Sequence, residues 1–175
     1  EEMPHFLQKA REAQEAIFSY SPFKENRGAF NMVAVMSPSE ESGTSEPARG
    51  QWRRTALSSH FDTFYSDRYL TTLQLKKLHD ILDGVPYEHI IVLVNTPKYG
   101  GGGILNSYNL TMTDHPLFCE VVVHEFGHSF AGLADEYAYE GEDDGIYPSD
   151  VEPWEKNITT KVEFGSKWGG MMGTR

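Results

Sequence analysis

Leu117-Phe-Cys-Glu-Val-Val-Val-His124-Glu125-Phe-Gly-His128-Ser-Phe-Ala-Gly-Leu-Ala134 is the stretch whose reading decides the fold. It predicts a helix over residues 117–134, apolar on most sides and therefore buried. His124 and His128 stand at i and i+4. On a helix that spacing puts both imidazoles on one face, one turn apart, within reach of a single ion. Two histidines and a glutamate on a buried helix are costly unless a metal or hydrogen-bond partners satisfy them.

Zinc is the ion this donor set suits. It takes histidine nitrogen at about 2.0–2.1 Å and keeps a position for water in catalytic sites. Glu125 follows the first histidine directly, where a carboxylate can accept a proton from that water and pass it to a leaving amine. A third ligand must come from beyond the helix. Gly132 follows His128 by four residues and can turn the chain through a left-handed conformation. Asp135 comes three residues later and Glu136 immediately after it. Either carboxylate is an accepted zinc ligand, and Asp135 is the preferred reading.

The rest of the composition fits a single folded domain over residues 1–175. Hydrophobic residues make up 39%, charged residues 23% and aromatic residues 13% of the chain. A net charge of −11 disfavours nucleic acid and anionic lipid as partners. The one cysteine, Cys119, excludes an internal disulfide, and its place on the apolar helix predicts a packed thiol. No apolar run approaches the roughly 20 residues that span a bilayer. The opening Glu1-Glu-Met-Pro4 carries no signal peptide and reads as a mature or trimmed start.

Outward from the motif, helices and strands are interspersed, which predicts an α+β fold with a small sheet packed on the active-site helix. Residues 5–19 repeat Phe6, Leu7, Ala10, Ala13 and Ile17 at helical spacing. Residues 29–36 read as a strand, followed by a polar loop to about Gly50. Residues 55–65 read as an irregular strand. Residues 69–83 predict a helix that stops at Gly84. Residues 88–95, continuous and β-branched, predict a buried strand. Residues 104–112 predict another. Between them, Gly100–Gly103 is either a flexible turn or a strand edge along which a peptide substrate adds.

His124 to Tyr137 resembles the IgA-peptidase family of zinc metallopeptidases. Ala56–Tyr69, Tyr99–Gly103 and Phe30–Gly43 also resemble family segments, so the likeness covers most of residues 20–160. It implies a zincin, metzincin-like fold and a bacterial metal-dependent endopeptidase, secreted or held at the cell surface or periplasm. Carried onto this chain, it implies His124, His128 and Asp135 as ligands of one zinc, with Glu125 as base. Its substrate would be a protein or peptide, with immunoglobulin as the founding case. The three residues between His128 and Gly132, and an acidic third ligand, depart from metzincins but match this family. The family also implies a methionine turn beneath the metal. Gly169-Gly-Met-Met-Gly173 is either that turn or, as the favoured reading, an unrelated segment.

Other polar features have bland readings. His60 and Asp62 alternate along the chain, and structural hydrogen bonding outweighs a second metal site. Tyr137, Tyr139 and Tyr147 follow the motif; any can donate to an oxyanion, and packing is the default. Glu140–Gly145 lacks the alternating pattern of a calcium loop and reads as a solvated acidic loop. Asn109-Leu-Thr111 and Asn157-Ile-Thr159 match the glycosylation acceptor pattern. Two alternatives to an endopeptidase remain. One is a non-peptidase zinc amidohydrolase; the other is a catalytically silent zincin-scaffold binding module, against which the intact Glu125 argues.

Overall fold

The computed structural model describes residues 2–137 and 147–173. The fold is α+β. The chain divides into two compact units, residues 1–130 and residues 131–175.

The first unit holds three helices and a three-stranded sheet: α1 (Met3–Ile17), α2 (Leu75–Ile81), β1 (Ile90–Val94), β2 (Gly101–Ile104), β3 (Tyr108–Met112) and α3 (Phe118–Ala131). The strand order is β1-β3-β2. β1 runs parallel to β3, with Ile90 opposite Tyr108 and Val94 opposite Met112. β2 runs antiparallel to β3, with Gly101 opposite Thr111 and Ile104 opposite Tyr108. Side chains alternate across a strand, so each face of the sheet gathers its own core. Ile90, Val94, Tyr108 and Leu110 pack with Leu78, Phe61 and Leu70 on the α2 side. Ile91 and Leu93 pack with Ile17, Phe118, Val122 and Phe126, the α1 and α3 side. Each fully buried apolar side chain in these clusters contributes about 1.5–3 kcal/mol.

Two expectations are corrected and one open alternative is decided. Residues 29–36 form no strand: Phe30 packs edge-on against Phe18, ring centroids 5.6 Å apart, but Val33 is 67% exposed. β-branching favours an extended chain, yet a strand also needs a neighbour for its N–H and C=O groups. The helix expected over 69–83 begins only at Leu75. Tyr69 instead bridges to Gly101, and Thr71 to His60. The Thr72 hydroxyl donates to the Leu57 carbonyl, and the Tyr108 hydroxyl donates to the Thr72 carbonyl at 2.7 Å. These tertiary bonds hold 69–72 extended against its helical pattern. Gly84 does end the segment in a left-handed turn, φ +77°. Finally, Gly100–Gly103 is not a turn: Gly101–Gly103 lie in β2.

The described residues of the second unit form short turns around a buried ion pair. Lys167 Nζ lies 3.0 Å from Glu152 Oε1, both side chains nearly closed to solvent. The ammonium also donates to the carbonyls of Glu155 and Ile158. Glu152 Oε2 accepts from the backbone N–H groups of Thr160 and Val162, each at 3.2 Å. Phe164 and Trp168 meet edge-to-face at 4.7 Å.

Candidate metal centre

α3 is one-sided rather than buried all round. Phe118, Val121, Val122, Glu125, Phe126 and Ser129 are buried, whereas Cys119 is exposed, which corrects the packed-thiol expectation. Cys119 and Glu120 line a surface pocket with Glu12, Glu15 and Ala16 of α1. Partial burial, with Glu12 and Glu120 nearby, still pushes the thiol above its ordinary value, which lowers its reactivity.

The helix is keyed to the sheet through Ser129, the residue after His128. Asn109 Nδ2, on β3, donates to the Ser129 hydroxyl at 3.0 Å. The Asn106 N–H, in the loop joining β2 to β3, donates to the Ser129 carbonyl at 3.0 Å. Both bonds fix how far α3 is rotated and slid along the sheet, and therefore where His124 and His128 point.

His124 Nε2 and His128 Nε2 are 3.0 Å apart, with the rings nearly perpendicular at 85°. Nitrogens at that separation either share a proton or direct both lone pairs at one cation. Two histidine ligands of a tetrahedral zinc, each bond about 2.0–2.1 Å, stand about 3.3 Å apart. The pair therefore fits a common ion.

Glu125 is 7% exposed and lies against the glycine strand. A Cβ built on Gly101 would come within 2.4 Å of Glu125 Oε1 and 2.8 Å of its Cγ. One built on Gly103 would come within 2.6 Å of the Glu125 carbonyl oxygen and 2.8 Å of His128 Cβ. Glycine at 101 and 103 is thus what lets α3 approach β2. The outer edge of β2 is already occupied at Gly101, whose N–H donates to the Arg68 carbonyl and whose carbonyl accepts from Leu70. A peptide cannot pair with the strand at that residue.

In the second unit the chain turns at Gly132, φ +62°, as its spacing predicts. Asp135 sits between two residues held by one side chain. Asn157 Oδ1 accepts from the Ala134 N–H at 2.9 Å. Its Nδ2 donates to the Ala134 carbonyl at 2.8 Å and to Glu136 Oε1 at 2.7 Å.

The remaining sequence candidates resolve into structural roles or lie outside the described residues. His60 Nδ1 bonds the Phe61 carbonyl at 2.8 Å, and Asp62 accepts from the Ala48 N–H at 2.9 Å. Tyr147 donates to Glu155 at 2.9 Å; burial first, then Glu155 and Asp135, push its hydroxyl up to about 12. Tyr137 is exposed, while Tyr139 and Glu140–Gly145 lie outside the described residues. Met171 and Met172 are 71% and 63% exposed, so Gly169–Gly173 is not a buried methionine turn. Asn109 is fully buried, and the Asn157 carboxamide is bonded at both its oxygen and its nitrogen, so neither acceptor pattern is open to a sugar on the folded chain. Sequence reasoning missed the packing role of Gly101 and Gly103 and the three contacts of Asn157.

The family model described as IgA Peptidase M64 matches residues 1–175, the whole chain. The protein is a hydrolase of the peptidase class. It belongs to the IgA peptidase M64 family. No curated protein matches it. No helix among the described residues is long and apolar enough to cross a membrane.

Proposed function

We propose that the chain is a zinc-dependent endopeptidase acting on a protein or peptide, with residues 1–175 serving as one zincin-like catalytic domain. His124, His128 and Asp135 hold one zinc per chain, and Glu125 is the general base. The observation that carries this reading is the convergence of the two Nε2 atoms at 3.0 Å on the helix that also presents Glu125. For the third ligand the spacing after Gly132 favours Asp135, with Glu136, whose carboxylate accepts from Asn157, as the alternative.

A zinc ion held there supplies Lewis acidity, polarising a carbonyl and drawing the pKa of water towards about 7. The protein's own contribution is positional. Glu125, pressed on the glycine strand, accepts a proton from the attacking water and delivers it to the departing amine nitrogen. Its burial limits the water competing for that carboxylate. The family description names immunoglobulin A, which makes an immunoglobulin the first substrate to try. Secretion, or residence at the cell surface or in the periplasm, follows from the same reading.

Metal analysis of the purified protein tests this together with one variant. Metal-replete protein should carry one zinc per chain. Glu125→Gln should keep that zinc and lose hydrolysis by about 10²–10⁴-fold. Absence of zinc overturns the metal reading; full activity of Glu125→Gln overturns the base.

A further inference from the structure

We infer that Asn157 is a positioning residue for the metal site, its carboxamide pre-setting the chain on both sides of Asp135. This rests on the reading of Asp135 as the third ligand.

Asp135 is reached by a short tether after the helix ends at Ala131. The tether contains Gly132, the residue with the greatest backbone freedom, so chain geometry alone leaves the carboxylate many directions. A ligand that must be found among many conformers binds its ion weakly, because ordering it costs about 1–2 kcal/mol per backbone residue fixed. Something must fix residues 134–136.

Asn157 does so with both amide hydrogens and its carbonyl oxygen. Its carboxamide pairs with the N–H and the C=O of Ala134 as a strand neighbour would. Its second amide hydrogen reaches Glu136 Oε1. The residue before Asp135 is thus held by its backbone, and the residue after it by its side chain. The contact with Glu136 has a second effect: it draws the neighbouring carboxylate into a hydrogen bond from a neutral donor. Few other side chains combine an acceptor and two donors in so short a span. Aspartate lacks the donors, and alanine lacks everything.

Zinc affinity, measured by competition with a chromophoric chelator, tests the inference without any assay of hydrolysis. Asn157→Ala should weaken zinc binding about 10–100-fold, the usual effect of losing a group that orients a ligand. Asp135→Ala should weaken it further. The double variant should bind zinc no more weakly than Asp135→Ala alone, because Asn157 acts through Asp135; additive losses overturn the inference. Wild-type affinity in Asn157→Ala, with Asp135→Ala weakened, overturns the inference alone. Wild-type affinity in Asp135→Ala overturns the ligand assignment and the inference with it. Hydrogen exchange on the metal-free wild-type protein supplies a check that needs no variant. The Ala134 amide should be protected before any metal arrives, and exchange at the unprotected rate overturns pre-setting.

Discussion

The Glu125 carboxylate is packed against the backbone of Gly101 so closely that a single added methyl group would stand 2.4 Å from Oε1. Real side chains do not tolerate that approach, so one of the two must move. Gly101→Ala should therefore displace Glu125 and lower kcat by tenfold or more, at a stability cost of about 1–3 kcal/mol. A methyl group added at Gly28 would meet nothing within 4 Å, and Gly28→Ala should be neutral. Steady-state kinetics and thermal melts on the pair decide the matter; equal, unchanged rates would remove Gly101 from the site.

Glu136 and Asp135 are adjacent acids with different engagements. Because Glu136 Oε1 accepts from Asn157 at 2.7 Å, Glu136→Ala should reduce zinc affinity far less than Asp135→Ala. Isothermal titration of both variants gives the order. The reverse ranking would move the third ligand to Glu136.

Asn109 joins the central strand to the motif helix through Ser129. Asn109→Ala removes that bond inside the fold and should cost about 1–3 kcal/mol. Urea unfolding of Asn109→Ala, Ser129→Ala and the double variant should show non-additive losses, since the two share one bond. Strict additivity would mean that the bond contributes nothing.

Acid should loosen the second unit. Burial alone would push the Glu152 carboxyl up, but hydrogen bonds from Thr159, Lys167 and Thr160 outweigh it and hold the group at about 2, below its ordinary 4.5. A carboxylate depressed in this way stabilises the fold fully above its unfolded value and loses that contribution as pH falls towards 2. Amide exchange at Thr160 and Val162, whose N–H groups donate to Glu152, should accelerate across that window after correction for the intrinsic rate. In Glu152→Gln the dependence should vanish. Exchange that stays flat in the wild-type protein would contradict the assignment.

How much of this was legible beforehand follows from the range of each signal. The i, i+4 histidines and the apolar residues around them are local, and α3 with its paired imidazoles stands where the spacing predicts. β1 was equally plain, because a continuous β-branched run has few other uses. The failures are tertiary. Residues 69–72 carry a helical pattern, but bonds to His60 and Gly101 pull them straight. Residues 29–36 look like a strand and have no strand to join. Gly101–Gly103 resembles a turn, because nothing in a glycine announces that a helix will lie on it. Asn157 reads as a sugar acceptor, since its partners lie 21 and 23 positions away.

A strand of glycines has a further consequence. Side chains normally penalise a strand that slips past its neighbour by one residue, since every inward group turns outward. Here a slip that brings Gly100 and Gly102 to the α3 face would still show the helix a bare backbone, so packing against the helix resists only the opposite slip, which turns Ile104 inward. Alignment must come from the two ends. Asn106, left-handed at φ +55°, sets the hairpin that pairs Ile104 with Tyr108. At the other end, Arg68 and Leu70 clasp Gly101. Insertions or deletions in the hairpin at 105–107 should therefore misplace the strand beneath Glu125 and break the Asn106 bond that keys α3 at Ser129.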